Sequence, residues 1–320
     1  MDCIDSINTI NYLNKIKNEN NNIELIYLNT KVGYGKANNI GVEKATKDYL
    51  FFINTDIFAE ENCFELMYKY LDQNIADCVQ PLLLWPQNNR IQCAGSFFGP
   101  YYKKHLFAGR KKESIDLTKI PKRRQALTSA LYAMKKDTFI KYGKFDEFYY
   151  NKIESFELSF KISLAGKKCM CVTEAIAYHS QGAGRNQYYF DFYQQEAYFW
   201  TRMGSNVISD ICYYYKFQLD EKMQQYCYTV IAISQTRGIR ELVESLGLTI
   251  CAYTEINGID PQKINLYELL PYSTHNSDCP IIFFVENITN LSGNINWLKQ
   301  RNQNDIAMDT YGNLLYVKQI

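Results

Sequence analysis

The sequence predicts an α/β protein built as two units. Three observations lead there. Helical and strand-like stretches alternate through the first ~85 residues. A strand-helix-strand pattern starts afresh near Tyr228. The chain has 320 residues, about twice the ~150 of a typical domain, and its 47% hydrophobic residues are enough to fill cores of that size.

In chain order, Ile7, Ile10, Leu13 and Ile16 recur at helical spacing after Ser6, a cap residue. Ile23–Leu28 reads as a short strand. Gly33-Tyr34-Gly35-Lys36-Ala37-Asn38-Asn39-Ile40-Gly41 is a loop entering a helix that runs to about Thr46. Tyr49-Leu50-Phe51-Phe52-Ile53 is an uncharged apolar run, expected as a strand buried on both faces. It ends in Asn54-Thr55-Asp56. Ligands of open α/β sheets gather at the carboxyl ends of strands, so Asp56 is a candidate metal or phosphate-site residue. The alternative is an Asp cap on a helix beginning at Ile57. Cys63–Leu71 reads as a helix and Ala76–Leu84 as a strand, which together suggest a parallel sheet with crossovers.

Residues 86–126 are irregular and hold a cationic run, Lys103, Lys104, Arg110, Lys111, Lys112, Lys119, Lys122, Arg123 and Arg124. Glu113 and Asp116 interrupt it, which favours a solvated loop; the alternative is contact with a diphosphate or an anionic membrane surface. Ala130–Met134 is a strand and Thr138–Tyr142 a short helix stopped by Gly143. Ile153, Phe156, Phe160 and Leu164 form one face of a helix with acids at its start, ended by Gly166. Cys169–Val172 and Ala175–His179 are strands, followed by the loop Ser180-Gln181-Gly182-Ala183-Gly184. Tyr188–Met203 is dense in aromatics: a core or subunit-packing helix, or an interfacial membrane helix. Tyr213–Tyr228 is helical and linking.

Tyr228–Ile233, Thr249–Tyr253 and Ile281–Val285 then read as strands, with helices at Arg237–Leu246, Ile264–Leu270 and Ile295–Arg301. This is a small Rossmann-like pattern. Its first turn, Ser234-Gln235-Thr236-Arg237-Gly238, lacks the G-x-G-x-x-G fingerprint, so a scaffold or interaction role is favoured over dinucleotide binding despite Glu255 at ribose distance. The expected boundaries are 1–205, a helical linker 206–227, and 228–320.

A net charge of +1 gives no global field for nucleic acid. The ten cysteines contain no CxxC pair. Cys169 and Cys171 share one strand face but have no second pair to complete a zinc set. Such scattered cysteines fit a reducing cytosol. No apolar run reaches the ~18 residues of a membrane span, and Met1–Asp5 has neither the basic nor the apolar region of a signal peptide. The expected location is cytoplasmic, at the inner face of the membrane if the cationic run or the aromatic helix meets lipid.

Four pieces stand in one order: Gly33–Gly41; Asn54-Thr55-Asp56; Gly143-Lys144-Phe145-Asp146-Glu147 with Glu154-Ser155-Phe156-Glu157-Leu158; and His179-Ser180-Gln181-Gly182. Over roughly residues 2–203 they resemble the inverting family 2 glycosyltransferases of GT-A fold, in particular the rhamnosyltransferase-like members. The C-terminal third lies outside the resemblance. It implies a GT-A type mixed sheet flanked by helices, a nucleotide-sugar donor, a saccharide or lipid-linked acceptor, and a place in polysaccharide biosynthesis. It further implies that Asp56, the last acid of a D-x-D motif here begun by Asn54, holds Mg2+ or Mn2+ with His179 as a second contact. Asp5, Gly35, Asn38 and Asn39 would join Asn54 and Asp56 around the nucleotide-sugar. The acidic helix start would face the acceptor, with Glu154 or Glu157 as the base.

Two departures from the family pattern bear on function. The family's Glu-Asp pair reads Glu154-Ser155, and a serine cannot accept a proton near neutral pH. Asp2-Cys3-Ile4-Asp5-Ser6 resembles the end of the family's nucleoside-binding turn, so a strand-helix-strand that members carry before it is expected to be missing. An active transferase, a catalytically impaired homologue that binds sugar or a partner protein, and a scaffold whose C-terminal unit mediates assembly or oligomerisation all remain open.

Overall fold

The structure is a computed structural model that describes residues 7–180, 189–270 and 279–317. It divides into two compact units, and the division is not sequential: Met1–Pro81 joins Ala126–Ser205, and Leu82–Gln125 joins Asn206–Ile320. The boundaries expected from the sequence ran in chain order, at 205 and 228.

The helices of the first unit are α1 (Ile7–Glu19), α2 (Tyr34–Lys44), α3 (Cys63–Asp72), α4 (Lys136–Lys141), α5 (Glu154–Leu164) and α6 (Tyr189–Met203). Its strands are β1 (Tyr49–Ile53), β2 (Ile57–Ala59) and β3 (Cys78–Leu84), and, after the short β4 (Ile91–Cys93), β5 (Ser96–Phe98), β6 (Lys103–His105) and β7 (Arg123–Arg124), β8 (Leu131–Lys135) and β9 (Cys169–His179). The sheet order is β1-β8-β3-β9-β2. This is the mixed sheet flanked by helices that the resemblance implies; the parallel sheet suggested by the first ~85 residues alone is interrupted by an antiparallel strand. β8 inserts between β1 and β3 and runs antiparallel to both.

That insertion makes β1 an edge strand. Only Leu50 and Phe52 are fully buried and Ile53 is 46% exposed, so the expected burial on both faces is not found. Alternate residues of an edge strand face the core while the others meet solvent. Ile23–Leu28, expected as a strand, forms none. A strand exists only by hydrogen bonding to a neighbour, and among the described residues no strand pairs with it. Ile57–Glu61 does not begin a helix either. Ile57–Ala59 pairs antiparallel with Ala177–His179, which removes the helix-cap reading of Asp56. The core beneath the sheet joins Val42, Leu50, Phe52, Tyr132, Phe139, Phe145, Leu158 and Ile162. Phe52 and Phe139 each pack against Phe145, with ring centroids 4.9 and 5.0 Å apart. In α6, Phe199 is fully buried against Phe156 and Phe160, as a core helix requires. Among the described residues no helix is long and apolar enough to cross a membrane.

The second unit, about as large as the first, holds the Rossmann-like part. Its strands are β10 (Cys227–Ile233), β11 (Thr249–Glu255), β12 (Ile281–Val285), β13 (Ile306–Asp309) and β14 (Leu314–Tyr316), in the order β11-β10-β12-β13-β14. The first four run parallel and β14 returns antiparallel. The helices are α7 (Ile211–Lys216), α8 (Ile239–Glu244), α9 (Leu266–Leu269) and α10 (Ile295–Lys299). β12 is buried throughout, as a central parallel strand should be. Residues 82–125 belong to this unit: Lys104 reaches Glu286 (3.1 Å) and Thr310 (2.7 Å). The cationic run is therefore not a free loop throughout.

Candidate active site

The site is built where β1 gives way to β2. One step beyond the β1–β8 ladder, the Asn54 amide donates to the Ala130 carbonyl (2.9 Å). Asn54-Thr55-Asp56 turns the chain into β2, whose first residue, Ile57, pairs with His179. The Ser180 amide donates to the Asp56 carbonyl at 3.1 Å. Backbone pairing thus carries Asp56 to a residue far away in sequence. The Asp56 carboxylate lies 3.2 Å from His179 Nε2, with the imidazole nearly buried and the carboxylate about a quarter exposed. The Asn54 side-chain nitrogen, Nδ2, is 3.5 Å from the same ring nitrogen.

These two groups fit a divalent cation. Two neighbouring donors on an ion with bonds of ~2.1 Å lie about 3 Å apart, close to the separation found. A carboxylate with an imidazole suits Mn2+ better than an all-oxygen set would. Among the described residues no third His, Cys, Asp or Glu completes a cluster around them, so the other coordination positions would fall to substrate oxygens and water.

A second wall starts at Gly33, whose φ of 81° opens α2. A Cβ there would sit 2.5 Å from the Tyr150 carbonyl oxygen, which accepts the Tyr34 amide hydrogen at 2.8 Å. Only glycine fits both constraints. Tyr34 Oη donates to the Ser129 carbonyl (3.0 Å), the residue before the one that receives Asn54. Gly35 lets α2 approach Phe145 and Glu154, 3.2 and 3.5 Å from where a Cβ would be. A chain of contacts therefore links His179, Asp56 and Asn54 through Ala130, Ser129 and Tyr34 to Glu154.

Glu154 opens α5 and is 2% exposed. Burial raises its carboxyl pKa from 4.5 to about 7, although backbone amides at Glu154, Lys152 and Ile153 favour the ionised form. The Lys152 amide donates to Oε2 at 2.9 Å, from a backbone with φ of 138°, strained for a residue with a side chain. Desolvation exceeds the help of these donors, leaving a carboxyl that exchanges protons near neutrality. Glu157, one turn on, differs. Lys161 (2.5 Å), Arg202 (3.3 Å) and the Tyr149 hydroxyl engage its buried carboxylate. Arg202 also binds Asp146 (2.8 Å), so Glu157 ties α6 to α5. Ser155 is buried and carries no carboxylate.

Of the remaining expected contacts, Asn39 is buried as a clamp. It donates to the Phe145 carbonyl (2.9 Å) and Glu147 (3.1 Å), and its side-chain oxygen accepts the Phe145 amide hydrogen (3.2 Å). Asn38 turns back on its own helix, donating to the Tyr34 carbonyl (2.8 Å). Asp5 and the loop Gln181–Gly184 lie outside the described residues. Sequence reasoning missed Tyr34, Ser129 and Lys152; the glycines on both sides of Tyr34 were the available signal for the first.

Residues 5–128 match the family described as glycosyl transferase family 2. The matched range contains the Gly33–Gly41 loop and Asn54-Thr55-Asp56; Glu154, Glu157 and His179 lie beyond it. No curated protein matches the chain. Among solved structures, one of GalNAc-T7 with UDP, GalNAc and Mn2+ is similar at 20% identity and a TM-score of 0.43. The alignment covers 54% of this chain and 35% of the other, so the chain spans about a third of that protein's length. A likeness that distant carries no functional argument.

Proposed function

We propose that the first unit, most of whose N-terminal part matches the glycosyl transferase family 2 model, transfers a sugar from a nucleoside-diphosphate donor to a hydroxyl of a saccharide or lipid-linked acceptor, with inversion. The observation that carries this is the Asp56–His179 pair, 3.2 Å apart at the carboxyl end of β1. These side chains would hold Mn2+ or Mg2+, which when bound neutralises charge gathering on the diphosphate leaving group. Inversion needs one displacement and one base on the acceptor side. Glu154 supports that role: its pKa of about 7 lets it take the acceptor proton and return it to water at neutral pH. Glu157, held by Lys161 and Arg202, positions the helix that carries Glu154.

The test is release of nucleoside diphosphate from UDP- and dTDP-sugars with Mn2+, comparing the wild type with Asp56→Ala. Metal-dependent turnover that the variant loses supports the reading. No turnover, together with nucleotide binding that ignores both metal and Asp56, would sink it. Ser155 in place of the expected acid favours a second reading, a binding protein without catalysis; metal-dependent nucleotide binding that Asp56→Ala abolishes, without turnover, would support it.

A further inference from the structure

The second unit carries a thiol pair that glycosyl transfer does not use. Of the free cysteines among the described residues, Cys63, Cys78, Cys93, Cys169 and Cys171 are buried, out of reach of an oxidant in solution. Cys251 is exposed and Cys279 partly so, and their sulfurs are 3.0 Å apart. Cys251 lies on β11, and Cys279 stands just ahead of β12, on the other side of β10. Thr229 of β10 lies beneath both, its hydroxyl 3.3 Å from the Cys279 sulfur and 3.9 Å from that of Cys251. The β10–β11 ladder shifts register between Tyr228 and Thr229, and such a shift releases the facing strand from strict pairing.

We propose that Cys251 and Cys279 are a redox-active dithiol that closes to a disulfide under peroxide and reopens under thiol reductants, tying β11 to the approach of β12. The sulfurs need to close by about 1 Å to reach the ~2.05 Å bond. The Cys251 thiolate attacks one oxygen of hydrogen peroxide, forming a sulfenic acid and hydroxide. The Cys279 thiol then attacks the Cys251 sulfur and the sulfenic oxygen leaves as water. In balance, two thiols and one peroxide give one disulfide and two waters. The neighbouring Cys251 raises the Cys279 thiol above its ordinary pKa, which suits Cys279 to the second, resolving step.

The test uses the full chain treated with hydrogen peroxide, then alkylation and peptide mapping. We expect a Cys251–Cys279 linked peptide, lighter by two hydrogens than its reduced parts and restored by dithiothreitol. Cys279→Ser should instead accumulate a sulfenic acid at Cys251 that dimedone traps. Cys227→Ser, at the head of β10, should leave the link intact. The proposal is overturned if both thiols remain alkylatable, if either links mainly to another cysteine, or if Cys251 passes to sulfinic acid while Cys279 is present. None of these readings depends on transferase activity.

Discussion

Glu154 and Glu157 sit one turn apart on α5, yet their surroundings give them different work. Glu157 has a cation on two sides; Glu154, among the described residues, has backbone amides against its burial, and burial dominates. If Glu154 is the base, kcat/KM for transfer should rise with pH to a plateau above about 7. Glu154→Gln should lower kcat on the order of 100-fold or more and erase that limb; an unchanged limb would move the base elsewhere. The same shift makes a stability statement. The folded-state pKa lies above the unfolded 4.5, so the contribution is fully present below about 4.5 and is lost as pH rises to about 7. At about 1.4 kcal/mol per unit, that is on the order of 3 kcal/mol. Thermal melts from pH 5 to 8 should show the decline in the wild type and a flatter curve in Glu154→Gln. The acid at the helix start was legible in the sequence. Its burial was not, because one apolar face predicts a half-exposed helix, whereas Glu154 through Phe160 are all buried.

At the scale of elements, the site depends on how α2 starts. Gly33→Ala should destabilise the first unit by about 1–3 kcal/mol from backbone strain alone, because φ is 81° and a methyl would meet the Tyr150 carbonyl. Asn39→Ala should cost about 1–3 kcal/mol by leaving the Phe145 amide and carbonyl buried without their partner. Urea unfolding measures both, and a cost within 0.5 kcal/mol for either would show that α2 is not clamped this way. The element types around β1, α3, α5 and β12 were readable from period and composition. What composition could not supply was pairing. It placed a strand at Ile23–Leu28, with which no strand pairs among the described residues, and it missed β2, which exists because Ile57–Ala59 meets Ala177–His179 across more than a hundred residues. Asp56 was visible as the end of an apolar strand. Its closeness to His179 follows from that pairing, and only the resemblance anticipated it.

At the scale of the whole molecule, chain order is a poor guide to what folds together. Lys104 lies in the first half of the sequence, yet its ammonium pairs with Glu286 (3.1 Å), hydrogen-bonds Thr310 and lies over the Tyr311 ring (4.2 Å). Glu286 also accepts from Ser234 (2.6 Å), so the contacts gather at the carboxyl ends of β10, β12 and β13. Ser234, Lys104 and Thr236 hold the Glu286 carboxyl below its usual range against the opposing effect of burial. Stability from this group is therefore present above its ordinary value of 4.5 and is lost as pH falls through the lowered one. Lys104→Ala removes the only cation paired with Glu286 among the described residues and leaves a part-buried carboxylate with hydroxyl donors alone, a loss of about 1–3 kcal/mol. That loss belongs to the second unit. Native-state hydrogen exchange of Lys104→Ala at neutral pH should accelerate the amides of β10 and β12 and leave those of β1 and β8 at wild-type rates. Acceleration confined to β1 and β8 would instead assign residues 82–125 to the first unit and overturn the discontinuous division of the chain.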